Sequence, residues 1–174
     1  METRPALKIR PAAPADEDAI WEIFHAVVAS GDTYVFDPQI SKAGALAWLR
    51  TPGAHTYVAE SAGQIVGLYL LKANQPGLGS HVANAAFMVS PSAHGGGVGK
   101  QMGMHCLSES RQLGFEAMQF NFVVSTNEPA VRLWKKLGFE IVGTLPRAFR
   151  HSRRGLVDAY VMFRSLADIQ LPAC

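Results

Sequence analysis

Apolar residues at Ile20, Ile23, Phe24, Val27 and Val28 recur three and four positions apart, which predicts one buried face of a helix. Pro14 and Asp16 open that helix, with Asp16 placed to cap it, and Ser30-Gly31-Asp32 closes it. A short strand, Leu7 to Arg10, precedes it, and the loop "TYVFDP" leads to a second helix around Ser41 to Leu49, stopped by Pro52-Gly53. His55–Glu60 and Gln64–Leu71 then read as a hairpin turned by "SAG". His81–Val89 is a further strand ended by Pro91, and Gly97–Leu113 a helix with Gly114 as its left-handed cap. In Ala117–Val124 the alternation puts Met118, Phe120, Phe122 and Val124 on one face of a strand. Asn127–Leu137 is a helix with Ala130, Leu133, Trp134 and Leu137 on one stripe. Phe139–Leu145 and Leu156–Phe163 are the last strands, joined by an Arg-rich loop.

The order β-αα-βββ-α-β-α-ββ predicts an α/β fold with a mixed sheet, and no break divides residues 1–174 into more than one domain. Composition adds that 48% of residues are hydrophobic and 17% charged, enough apolar surface for a packed core. A net charge of +2 gives no electrostatic reason to expect nucleic acid. No run reaches the length of a membrane span, and "METRPALKIRP" lacks the apolar centre of a signal peptide, so a soluble cytoplasmic protein is expected. Cys106 and Cys174 suggest neither a disulfide framework nor a metal site, and His25, His55, His105 and His151 have no ligand spacing.

The unusual stretch is "SPSAHGGGVGKQMGM", with glycine at 95, 96, 97 and 99 directly before a helix. A Walker loop fails here, because His94 stands where its first glycine belongs and Gln101 replaces the hydroxyl residue. A dinucleotide fingerprint fails too, since the last glycine would fall on Lys100 or Met102. What remains is a bare backbone whose N–H groups converge at a helix start, a place suited to a diphosphate. The dipole contributes only ~0.3–1 kcal/mol when exposed, so the hydrogen bonds must do most of the holding.

"V-S-P-S-A-H-G-G-G-V-G-K" (89–100) resembles the acetyl-CoA signature of the GNAT superfamily, and "N-E-P-A-V-R-L-W-K-K-L-G-F-E" (127–140) resembles its second signature. The resemblance implies a GNAT fold in which the strands His81–Val89 and Ala117–Val124 splay apart to admit the thioester of acetyl-CoA. It implies that the amides of His94, Gly95, Gly96, Gly97, Val98, Gly99 and Lys100 hold the pyrophosphate. Phe87, Met88 and Val89 would pair through their backbones with the pantetheine arm, and Asn127 would contact the cofactor. No metal is implied. Dimers are common in the superfamily, so a homodimer is left open. Two departures stand out. His94 occupies a position where Gln or Arg is usual, and Trp134 replaces the tyrosine that can protonate the leaving thiolate. An indole N–H donates hydrogen bonds but is no practical acid.

On the acceptor side, Asn84 and Asn121 lie inside the strands expected to flank the acyl group and are the candidate catalytic residues. Period-two counting puts Asn84, Ala86 and Met88 on one face, and Gln119, Asn121 and Val123 on another. An amide there can accept from an amine or donate to an oxyanion, or it can satisfy a local irregularity of the strand. "SHVANAAFMV" and "FNFVVSTN" are also similar, more loosely, to fungal acetyltransferases that detoxify proline analogues. That similarity implies that Asn84, Phe87, Asn121 and Asn127 lie near the acceptor and the acetyl group. Tyr34 and Phe36, from "DTYVFDP", could line the acceptor pocket or plug the core edge. His81, Glu60, Asp158 and Tyr160 are further polar candidates for a base, and each alone reads more simply as structural. Arg147, Arg150, Arg153 and Arg154 crowd one segment without an acid, either as a solvated hairpin tip or to attract an anionic group. The reading is an acetyl-CoA-dependent N-acetyltransferase acting on a small amine such as an amino acid or a toxic analogue. The alternatives are a protein or peptide N-acetyltransferase, or a CoA-binding module without catalysis.

Overall fold

A computed structural model describes residues 6–170, so Cys174 lies outside the described residues. Seven strands and four helices follow in the order β1 (Lys8–Pro11), α1 (Glu17–Ala29), α2 (Lys42–Leu49), β2 (His55–Ser61), β3 (Gln64–Ala73), β4 (Val82–Val89), α3 (Val98–Gln112), β5 (Ala117–Val124), α4 (Glu128–Lys136), β6 (Glu140–His151) and β7 (Gly155–Ser165). The α/β order expected from the sequence is the order found. The strands make one mixed sheet, β1-β2-β3-β4-β5-β7-β6. Every neighbouring pair is antiparallel except β4 and β5.

Helices cover both faces. Ile20, Ile23, Phe24 and Val28 of α1, with Ala45 and Leu49 of α2, pack on Val58, Leu68, Leu70 and Met88. On the opposite face Val98, Met102, Cys106 and Leu107 of α3, with Trp134 of α4, pack on Tyr69, Ala83, Ala85 and Phe120. Complete burial of each large apolar side chain contributes about 1.5–3 kcal/mol. Ser41 caps α2 by accepting the Gly44 N–H at 3.1 Å, and Asn127 caps α4 by accepting that of Ala130 at 3.4 Å. Among the described residues no helix is long and apolar enough to cross a membrane.

Three local expectations are corrected. Asp16 sits at the start of α1 but its carboxylate does not cap the helix. It turns back to accept the Ala13 N–H at 2.7 Å and two bonds from the Arg10 guanidinium at 2.7 and 2.9 Å, where a cation adds charge that a helix end alone does not offer. The Arg-rich segment is not a loop: β6 runs to His151, and the turn is confined to Ser152–Arg154. The strand survives Pro146 through a bulge at Arg147, whose φ is +53° and whose N–H is taken by Asp158 at 2.8 Å. Finally, β5 does not alternate to its end. Phe120 faces Met162 and Val123 faces Tyr160, so Asn121 and Phe122 together oppose one residue. The bulge hands the inward position from Phe122 to Val123, which joins Met118 and Phe120 in the core. Asn121 and Val123 therefore do not share a face.

Candidate active site

The only parallel pair of the sheet is barely a pair. β4 and β5 are in register at Val82 with Ala117 and Ala83 with Met118, and then they part. At the fork, the Asn84 side-chain N–H donates to the Gln119 carbonyl at 2.8 Å, replacing the ladder bond lost there. Beyond it lies a cleft of about 330 Å³ that passes through the sheet. Its walls are Asn84–Phe87 of β4 and Phe120–Val124 of β5, with Trp134 from one helical layer and Tyr34, Phe36 and Trp48 from the other.

At the open end of the split the chain leaves β4, makes a turn at Pro91–Ala93, and enters α3 through the glycine run. Gly95 and Gly97 have φ of +75° and +79°, and open space where a Cβ would stand, so backbone conformation alone demands glycine there. No side chain caps α3. The first N–H of the helix to find a carbonyl is that of Gln101, on Gly97 at 3.1 Å. The N–H groups of Gly95, Gly97, Val98, Gly99 and Lys100 therefore have no acceptor among the described residues, whereas those expected to join them at His94 and Gly96 bond the Pro91 and Ala93 carbonyls at 3.4 and 3.3 Å. Five free donors at the positive end of a helix form a nest for an anion. Val98 anchors the nest by burying its side chain in the core. His94 folds over the loop, with Nε2 3.2 Å from the Val89 carbonyl oxygen.

Along β4 the backbone alternates. Phe87 turns its N–H and its C=O away from β3, and both bond the Tyr34 hydroxyl. Val89, two residues on, shares that orientation. Met88 between them faces its partner Leu68, and its side chain is buried under α1 and α2. Of these three residues, then, Phe87 and Val89 present main-chain groups to the split. Tyr34 is half-buried, and desolvation of its phenol pushes its pKa upward. Its ring stacks near Phe36, which packs edge-on against Trp48.

Trp134 serves the core and the cleft together. It is 8% exposed, and its ring lies 4.8 Å from those of Phe87 and Phe120. Asn121 is exposed at the rim, accepts from Gln119 at 2.9 Å and donates to the Asn74 side chain at 2.6 Å. Asn127 lines the cleft while capping α4. The structure thus brings Tyr34, Phe36, Asn84, Phe87, Asn121 and Asn127 to one cleft. Glu60 pairs with Arg10 at the β1 edge, Asp158 holds the Arg147 bulge, and neither these nor His81 and Tyr160 line the cleft. Trp48 of α2 and Asn74, in the loop after β3, were not singled out from the sequence. Among the described residues no three His, Cys, Asp or Glu side chains gather as a metal site. Cys106 is buried, which pushes its thiol pKa up and leaves it no role in the cleft.

A mixed sheet split between two parallel strands, with a donor nest at the mouth of the split, defines a protein class built to hold a long anionic ligand whose far end reaches through the sheet. Residues 18–139 match the acetyltransferase (GNAT) family, and the chain belongs to that family. It is 41% identical to a GCN5-related N-acetyltransferase from Kribbella flavida, with a TM-score of 0.88 over 92% of this chain and 98% of that one. It is 25% identical to yncA from Salmonella typhimurium, solved with its cofactor acetyl-CoA, with a TM-score of 0.82 over 97% of this chain and 99% of that one. It is also 37% identical over 108 residues to the N-acetyltransferase aca1 of Schizosaccharomyces pombe, covering 60% of this chain and 52% of the yeast protein. The matched stretch thus spans about half the length of that relative.

Proposed function

We propose that the chain transfers the acetyl group of acetyl-CoA to a small primary or secondary amine, of the kind found in free amino acids and their analogues. The observation that carries this reading is the continuity of nest, split and aromatic end. The diphosphate would rest on the amides of Gly95 and Gly97–Lys100. The pantetheine would follow the main-chain groups of Phe87 and Val89, displacing the Tyr34 hydroxyl from the first and the His94 ring from the carbonyl of the second. The thioester would then lie beside the fork at Asn84. The aromatic wall of Tyr34, Phe36 and Trp48 supports a small acceptor over a peptide, because it narrows the side of the cleft where a peptide would lie.

The chemistry is direct attack of a neutral amine on the thioester carbonyl. The C–N bond forms first, giving a tetrahedral oxyanion whose collapse breaks the C–S bond and releases the thiolate, and the amine proton passes to solvent. Such a transfer asks mainly for orientation and for donors to the developing oxyanion, roles we assign to the Phe87 N–H, once released by Tyr34, and to the second N–H of the Asn121 amide beside the one that Asn74 accepts. With tryptophan at position 134, no side chain of α4 in the cleft is an acid, so the thiolate leaves with hydrogen-bonded water as its proton source.

Release of CoA thiol, measured with acetyl-CoA and a set of free amino acids, simple amines and peptides, tests the reading. Turnover with free amino acids or simple amines is expected. Turnover with peptides alone would replace the acceptor class, and tight cofactor binding without turnover on any amine would replace catalysis by a binding role.

A further inference from the structure

Behind the acceptor side of the cleft lies a second pocket, of about 480 Å³, which shares Thr33 and Asn127 with it. Two chain segments far apart in sequence build this pocket. The β6–β7 turn docks on the end of α1: the Ser152 N–H bonds the Gly31 carbonyl at 2.9 Å, and the Ser152 hydroxyl bonds that of Ser30 at 2.9 Å. Gly31 permits the contact, since a Cβ there would stand 3.1 Å from the Cβ of Ser152. The Arg-rich turn is therefore fixed against the segment that also carries Thr33 and Tyr34.

The residues that line the pocket are rich in donors. The hydroxyls of Thr33 and Thr126 are buried and have no hydrogen-bond partner among the described residues. His151 is 7% exposed, and its Nδ1 accepts the Arg153 N–H at 3.1 Å, so the neutral ring carries its proton on Nε2 as a further donor. Arg153 is 3.7 Å from Asp32, the one acid in the lining, and Arg154 has no ion-pair partner among the described residues. Two orphan hydroxyls are unfavourable unless something accepts from them. An anion in the pocket would have the Arg154 guanidinium for its charge, with Thr33, Thr126 and His151 among the lining residues.

We propose that this pocket binds the carboxylate of the acceptor, and so selects amines that carry a carboxylate. The inference rests on the acetyl-transfer reading for the word acceptor, and goes beyond it in naming the group recognised. An acceptor carboxylate suits the site better than a phosphate of the cofactor. The pocket meets the cleft at Thr33, on the acceptor segment, and at Asn127, whereas the amides that suit a diphosphate lie at the start of α3.

The test compares free L-amino acids with the matching carboxamides, in the native protein and in Arg154→Gln and Thr126→Val. The carboxamide is the less basic amine and is more often neutral at pH 7, so a preference for the acid cannot arise from the nucleophile. The native protein is expected to favour the acid by at least about tenfold in kcat/KM, the order of one charge-assisted hydrogen bond, and both substitutions should collapse that ratio through KM. Calorimetry with the N-acetylated acids and amides reads the same preference without turnover. It therefore decides the pocket even if no amine is acetylated. Equal binding of acids and amides by the native protein overturns the proposal while leaving acetyl transfer intact. So does an Arg154→Gln variant that weakens acetyl-CoA but not acetyl-dephospho-CoA and keeps the acid preference, because the anion would then be the cofactor's phosphate.

Discussion

The Tyr34 hydroxyl sits between the two backbone groups of Phe87, donating to the carbonyl at 2.6 Å and accepting the N–H at 2.9 Å. The acceptor segment thus satisfies the strand edge along which the thioester arm is proposed to lie. Binding there must exchange Tyr34 for the ligand. Tyr34→Phe removes those two bonds from the free protein only, so it should tighten acetyl-CoA binding by about threefold to tenfold, on the scale of one net hydrogen bond. Calorimetry measures this, and unchanged affinity would mean that Tyr34 holds Phe87 in the complex as well.

Gly97→Glu places a carboxylate in the donor nest at φ +79°. It should weaken acetyl-CoA by at least about tenfold, the order of one charge-assisted hydrogen bond. Gly97→Ala carries the same backbone strain without the charge and should lose less. Equal affinity of native protein and Gly97→Glu by calorimetry contradicts the phosphate assignment.

Asn121→Ala deletes the rim amide that links Gln119 to Asn74. Turnover should fall by about tenfold while cofactor affinity holds, if the amide meets the reacting groups in the transition state. Parallel loss of turnover and affinity would make Asn121 a scaffold residue of the split.

Asp16 links the start of α1 to β1, and the Arg10 guanidinium beside it lowers its carboxyl pKa. Asp16→Asn should destabilise the fold by about 2 kcal/mol at pH 7, the scale of hydrogen bonds to a charged group. Because the folded-state pKa is depressed, this contribution is complete above the ordinary carboxylate range near pH 4 and is lost as the pH falls through the folded value. The difference in denaturant midpoint between native protein and variant should therefore shrink below about pH 4. A constant difference from pH 7 to pH 3 would contradict the ion pair.

Element order was legible because α1 and α4 carry apolar stripes at helical spacing, and because glycine and proline mark the ends of helices, as at Pro52-Gly53 after α2 and Gly114 after α3. The donor nest was legible because four glycines before a helix have few other uses. The errors came where backbone geometry departs from period. The bulge at Asn121–Phe122 shifts the inward face of β5 by one residue, and no residue type there announces it. The length of β6 was hidden by Pro146 and four arginines, although Phe149 and His151 point inward and are buried. Tyr34 and Phe36 were legible as pocket residues, but the bonds from Tyr34 to Phe87 join positions 53 residues apart and follow from the fold alone.

The central claim is that main-chain N–H groups at the start of α3 hold the diphosphate and set the thioester between β4 and β5. Amide chemical shifts of the isotope-labelled protein, followed during titration with acetyl-CoA, test it directly. The largest changes should fall on Gly95, Gly97, Val98, Gly99 and Lys100, and on Phe87 and Val89 in the split. Saturating binding that leaves those amides unmoved and perturbs another surface would contradict it.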